Sequence, residues 1–246
     1  MMQKLRNVMY TVVVAVWVLV ATIVLGCTVI VAAFFSKKGH GPHLVARAWA
    51  RSILWVSRVK VEVNGLENLP LDAPCILMPI HQSNFDIPVL LGRLPIQFRW
   101  LAKAELFKIP IFGRGMRGCG YISIDRSNRK SAFRSLAAAA QRIRDGASVL
   151  IFPEGTRSRD GEIGAFKKGG FVLTVDAGVP IVPIIIYGTR TIMPKGSPLL
   201  EPGDAYMEIL PPVLSSGYTR KTKDLLMEEV RDILCTAFDR VREKQI

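Results

Sequence analysis

The chain has 246 residues, half of them hydrophobic, four cysteines and a formal net charge of +13. The length allows one main domain with an appendage. Cys27, Cys75, Cys119 and Cys235 are scattered with no CxxC pair, which argues against a zinc site and a disulfide framework and for reduced, mostly buried thiols in a cytoplasmic domain. The positive charge suits solubility, nucleic acid or an anionic membrane surface. No nucleic-acid recognition motif or aromatic-basic platform is present, and the apolar N-terminus favours the membrane.

From Val8 to Phe35 there is no charged residue. A helix of that length measures roughly 42 Å, more than the roughly 30 Å of a bilayer core. The run is too long for a signal peptide and lacks a convincing small-residue cleavage site, so a retained membrane segment is expected. It can span with tilt or bend at Gly26. Lys4 and Arg6 precede it; Lys37, Lys38, Arg47 and Arg51 follow it. The larger basic cluster on the C-terminal side predicts that the rest of the chain faces the cytoplasm, with a bacterial inner membrane as the expected location. HLVARAWARSILWVSRV then reads as a helix, with Arg47, Arg51 and Arg58 on one face and Val45, Trp49, Ile53 and Val56 on the other. That pattern fits a helix in the membrane interface with Trp at headgroup depth, or a core helix with a snorkelling Arg face.

From Val59 onward strands and helices alternate. VKVEV, PCILMPI, FRWLA, GYISI, SVLIF, PIVPIII and YMEIL read as strands. NFDIPVLLGRL, SAFRSLAAAAQRIRDG and KTKDLLMEEVRDILCTAFDRV read as helices, the second ending at a Gly146 C-cap and the third carrying Leu226, Val230, Ile233, Ala237 and Val241 as one apolar stripe. The expected fold is α/β, a largely parallel central sheet flanked by helices, with an N-terminal membrane-embedded helical segment. Residues 1–58 form that segment and residues 59–246 the main domain. In PIVPIII, Pro180 suits a strand start, but Pro183 requires an edge or a bulge.

Three stretches carry candidate chemistry. In IHQSNFDIP, His81 emerges from an apolar strand, where ligand sites of open α/β sheets gather. In a continuous helix His81 and Asp86 would point about 140° apart, so their pairing requires a turn around Gln82–Asn84, with Ser83 or Asn84 capping the next helix. Asp86 would then hold the ring through Nδ1 and leave Nε2 as base; a structural histidine is the other reading. In FPEGTRS, Gly155 permits close backbone approach and Arg157 offers a forked grip on phosphate, although a solvated loop has the same composition. No GK[ST] phosphate loop occurs, so nucleotide hydrolysis is not indicated. In residues 100–126, Lys103, Arg114, Arg117 and Arg126 lie among Leu106, Phe107, Ile109, Ile111, Phe112 and Met116, a mixture that suits an amphiphile with an anionic head or a surface loop over the core.

HQSNFD resembles the HX4D signature of the glycerolipid acyltransferases. KAELFKIPIFGRGMRGCGYISIDR, FPEGTRS and VPIVPI resemble three further blocks of that family, in order, over about Ile76 to Ile185. Ile80 departs from the family pattern, where Asn often precedes the histidine. Within the family the nearest resemblance is to 1-acyl-sn-glycerol-3-phosphate acyltransferases. The resemblance implies transfer of a fatty acyl group from acyl-CoA or acyl carrier protein to the sn-2 hydroxyl of lysophosphatidic acid, giving phosphatidic acid. It implies His81 as base and Asp86 as its orienter. Arg157 would bind the acceptor phosphate, with Glu154, Gly155 and Thr156 shaping its pocket. Lys103 or nearby backbone amides would stabilise the oxyanion, and Arg126 would join the substrate site. No cofactor and no metal are implied. Another acceptor, such as glycerol-3-phosphate or an ornithine lysolipid, and a non-catalytic lipid-binding role stay open.

Overall fold

The computed structural model describes residues 2–36, 38–125 and 128–245. Lys37, one of the basic flanking residues, lies outside them. Seven strands form one sheet: β1 Val61–Asn64, β2 Ile76–Pro79, β3 Phe98–Lys103, β4 Ile122–Ile124, β5 Ser148–Leu150, β6 Ile181–Tyr187 and β7 Ala205–Ile209. Their order is β1-β7-β6-β2-β5-β3-β4, and every neighbouring pair is parallel except β6–β7. The helices are α1 Met2–Phe34, α2 His40–Val56, α3 Asp86–Arg93, α4 Phe112–Gly118, α5 Arg129–Arg144, α6 Lys168–Ala177, α7 Thr189–Ile192 and α8 Lys223–Gln245.

The sheet separates two apolar layers. Side chains alternate along a strand, so Ile76, Met78 and Ile80 join Phe171, Leu226 and Val230 on one face, while Cys75 and Leu77 join Phe98, Leu90 and Leu54 on the other. Helices α5, α6 and α8 cover the first face; α2 and α3 cover the second. Each expected strand is present. Helices α4, α6 and the four-residue α7 are additional; the glycine-containing sequences of α4 and α6, FGRGMRG and KGGFVLTVDA, hide the helical period, and α7 is too short to show one. Gly146, at φ 88°, ends α5 as expected, its N–H 2.9 Å from the Ile143 carbonyl. The α8 stripe is buried at Leu226, Val230, Ala237 and Val241, with Ile233 half-buried. Pro183 sits in an interior strand. The pairing slips by one residue between the Ile181–Val213 bridge and the Ile184–Ile209 pair: the extra residue lies in the partner segment 209–213, and Pro183, with no amide donor, faces that bulge.

Helix α1 is continuous through Gly26, with no break into two helices there. Gly26 instead permits a close approach: a Cβ at that position would lie 2.7 Å from Ile111 Cγ2. One face of α1 packs on the domain through Val14, Ala21 and Val29; the other leaves Val12, Val16, Leu19, Ile23 and Val31 exposed. Helix α2 is a core helix more than an interfacial one. Ala50, Ile53 and Leu54 are buried, Arg51 Nε donates to the Gly92 carbonyl at 3.0 Å, and Trp49 turns inward to donate to Thr22 Oγ1 at 3.0 Å. The outward-facing tryptophan is Trp55. Helix α1 thus covers the side of α2 that carries Trp49.

Candidate active site

β2 delivers His81 to the rim where the parallel strands β6, β2, β5, β3 and β4 end. The chain turns over residues 80–85 and restarts as α3 at Asp86. This turn brings together side chains that a helix would separate: His81 Nδ1 lies 2.8 Å from Asp86 Oδ2. Ser83 Oγ accepts the Phe85 N–H at 3.1 Å and shapes the turn. The N-cap position of α3 is Phe85, which makes no side-chain cap hydrogen bond, so neither Ser83 nor Asn84 caps the helix as expected. Asp86 is fully buried. Its Oδ2 also accepts the N–H groups of Gln82 at 2.7 Å and Ser83 at 2.8 Å, and its Oδ1 accepts the Thr189 hydroxyl at 2.6 Å. Four donors thus fix a carboxylate that holds the imidazole by one nitrogen, and Nε2 is left for chemistry. The ring lies flat on Phe152, centroids 3.7 Å apart and planes 13° apart, which sets its orientation.

The loop after β5 brackets the same histidine. Glu154 is buried and accepts the His81 N–H at 2.8 Å and the Gly164 N–H at 2.9 Å. Burial pushes its carboxyl above the ordinary value, against the pull of these two amides. Its carboxylate therefore holds main chain under the site. The Ser158 N–H donates to the His81 carbonyl at 2.8 Å, so the peptide of His81 is gripped from both sides. Gly155, at φ 72°, turns the loop in a conformation that disfavours a side chain.

A cavity of about 840 Å³ opens beside the histidine. Its polar wall contains His81, Asn84, Lys103, Thr156 and Arg157. Its apolar wall is built by α1 and α2, through residues such as Val18 and Trp49, and by Leu106, Phe112 and Met116. Three of the sequence-predicted stretches thus meet at one space. Lys103 lines it and also pairs with Glu105 at 3.0 Å, both side chains being solvated. Arg126 lies outside the described residues. Thr189, Met193 and Lys195 touch the site without having been singled out in the sequence, and Phe152, which opens FPEGTRS, was given no role there. Thr189, Met193 and Lys195 come from the β6–β7 connection, over a hundred residues after His81, where no motif spacing links them to it. Among the described residues, no group of three His, Cys, Asp or Glu side chains is placed to hold a metal.

Residues 60–187 match the model of the family described as Acyltransferase. The chain is 38% identical over 209 residues to the chloroplast 1-acyl-sn-glycerol-3-phosphate acyltransferase BAT2 of Brassica napus, covering 84% of this chain and 58% of that protein. It thus spans under two thirds of that relative's length. It is 36% identical over 178 residues to the 1-acyl-sn-glycerol-3-phosphate acyltransferase of Pseudomonas aeruginosa, covering 70% of this chain and 68% of the other. In three dimensions it superposes on the crystal structure of the 1-acyl-sn-glycerophosphate acyltransferase PlsC of Thermotoga maritima with a TM-score of 0.84 and 28% identity, covering 98% of both chains.

Proposed function

The chain belongs to the acyltransferase family, and from that premise we propose that it moves a fatty acyl group from a thioester, acyl-CoA or acyl carrier protein, to the sn-2 hydroxyl of a 1-acyl-glycerol-3-phosphate, giving phosphatidic acid. The observation that carries this reading is His81, held from behind by the buried Asp86, on the polar wall of a largely apolar cavity that Arg157 also lines. The substrate has the same two characters, an anionic head and a long tail.

In the proposed reaction His81 Nε2 takes the acceptor hydroxyl proton as its oxygen attacks the thioester carbonyl. The tetrahedral intermediate collapses to the ester, the C–S bond breaks, and the imidazolium returns its proton to the leaving thiolate. Asp86 stabilises the transient imidazolium through Nδ1–H. Arg157 grips the acceptor phosphate, and its planar fork matches two phosphate oxygens. Lys103 or main-chain amides at the rim support the oxyanion. The atoms and charges balance with these groups alone, so no cofactor enters the scheme. Glu154 and Gly155 serve by shaping the loop that carries Thr156 and Arg157.

The outer face of α1 is apolar along the helix, and its inner face is bound to the domain from Tyr10, whose hydroxyl donates to the Ser57 carbonyl at 2.7 Å, to Ala33, packed on Gly118. A helix held lengthwise favours lying in one leaflet over crossing the bilayer away from the domain. We place the catalytic rim on the cytoplasmic side of a bacterial inner membrane. The test is an acyl-transfer assay on purified membranes with both donor types and a panel of acceptors, including glycerol-3-phosphate and an ornithine lysolipid. Transfer to lysophosphatidic acid that vanishes in His81→Ala is the expected result. A wild-type preference for another acceptor would replace the substrate, and activity retained by His81→Ala would remove the mechanism.

A further inference from the structure

The connection between β6 and β7 passes over the strand-end rim and touches the site at three points. Thr189 donates to Asp86, and the Met193 carbonyl accepts the Ser83 hydroxyl at 2.8 Å. Lys195 Nζ lies 2.6 Å from the Arg157 carbonyl and 3.1 Å from Thr156 Oγ1. The connection is itself anchored, since the Leu200 N–H donates to Thr11 Oγ1 of α1 at 2.8 Å and the Glu201 N–H to the Ile192 carbonyl at 2.9 Å. Lys195 is half-buried and stands behind the cavity wall, while Thr156 and Arg157 line it.

An ammonium only donates. Thr156 Oγ1 must therefore accept from Lys195, and its own hydrogen is free to seek a different acceptor. Both oxygen partners of Lys195 are neutral, and among the described residues no carboxylate forms an ion pair with it. Its charge is left uncompensated beside the loop. We propose that Lys195 is a positioning residue for an acceptor-phosphate subsite. It turns the Thr156 hydroxyl into a donor toward the anionic headgroup and pins the main chain from which Arg157 reaches the same group. This rests on the lysophosphatidic acid reading of the site.

The test uses the full chain in mixed micelles, varying lysophosphatidic acid against acyl-CoA. The variants are Lys195→Met, Lys195→Arg, Thr156→Val and the double variant Lys195→Met/Thr156→Val. Lys195→Met is expected to raise the acceptor KM by about tenfold, the scale of one charge-assisted hydrogen bond, and to move the donor KM by less than about twofold. Lys195→Arg recovers most of the loss. The double variant is expected to be about as impaired as the worse single variant, because both act on one hydroxyl. An unchanged acceptor KM, an equal rise in both KM values, or single losses that multiply would each overturn the proposal. If Lys195→Met loses the cooperative melting of the wild type, Lys195→Gln takes its place under the same criteria. A wild-type enzyme that ignores lysophosphatidic acid overturns the substrate reading itself, before any variant is compared.

Discussion

Replacing Asp86 with Asn tests the site at its most constrained atom. Asp86 Oδ2 receives three donors, from His81, Gln82 and Ser83, while Oδ1 receives only the Thr189 hydroxyl. An asparagine therefore places its oxygen at the Oδ2 position and its amide toward Thr189, whose hydroxyl can rotate to accept. The fold and the imidazole tautomer survive in this arrangement; what is lost is the negative charge. Two unit charges about 4 Å apart at an effective dielectric near 20 attract by about 4 kcal/mol. With about half a charge developed on the imidazole in the transition state, the loss is about 2 kcal/mol. Weakening a charged hydrogen bond to a neutral one adds about 1 kcal/mol. At 1.36 kcal/mol per decade, the total predicts a fall in kcat of about a hundredfold. Steady-state acyl transfer with both substrates saturating, paired with a thermal melt, measures it. A folded Asp86→Asn enzyme within about threefold of the wild-type kcat would refute the assignment of Asp86 as the stabiliser of an imidazolium.

His81→Ala is expected to abolish turnover and retain membrane attachment, because α1 and α2 do not depend on that side chain; co-sedimentation with vesicles checks the second half. Arg157→Ala is expected to raise the acceptor KM by about ten- to a hundredfold with little change in the donor KM, and Arg157→Lys to recover part of it; two-substrate kinetics decide, and a selective rise in donor KM would move Arg157 to the thioester. Gly26→Ala drives a methyl against Ile111, and overpacking of about 1–2 kcal/mol should lower the melting temperature by about 2–8 °C; an unchanged melt would show that the α1–α4 contact is loose. Burial, with Arg99, Arg47 and His40 adding like charge, lowers the His43 imidazole from 6.5 to about 3. The unfolded chain binds a proton near pH 6.5 that the folded chain refuses until about pH 3, so this contribution is full above pH 6.5 and is lost as pH falls through that window. Melting temperature measured from pH 7 to pH 4 should drop less steeply in His43→Met than in the wild type.

The sequence exposed those features whose cause is local. An apolar run followed by His, a turn-forming stretch and Asp has few ways to bring the two side chains together, and the structure uses the turn that the spacing demanded. The Pro183 bulge was legible for the same reason, since a missing amide within a strand permits few arrangements. What stayed hidden arises from chain crossings. Thr189 and Lys195 have no periodic or compositional mark; they matter because β6 lies beside β2 and the chain leaving β6 must cross the rim that β2 created. The contact of Trp49 with α1 was hidden because one helix wheel shows which face is apolar but not what covers it.

That limit is sharpest for α1. Its buried residues Val14, Ala21 and Val29 and its exposed residues Val12, Val16, Leu19 and Ile23 belong to the same chemical class, so no amphipathic pattern separates the side meeting protein from the side meeting solvent. Such a helix is suited to two apolar surroundings at once: packed side chains on one face and acyl chains on the other. On the proposed placement, the cavity wall that α1 contributes through residues such as Val18 stands between the site and the lipid. A lysolipid then need not leave the leaflet to bring its hydroxyl to His81. Only its phosphate must be drawn to the rim, and the cations at that rim, Arg157 and Lys195, are held by main chain and by the β6–β7 connection. Helix α1 is tied to the same connection through Thr11.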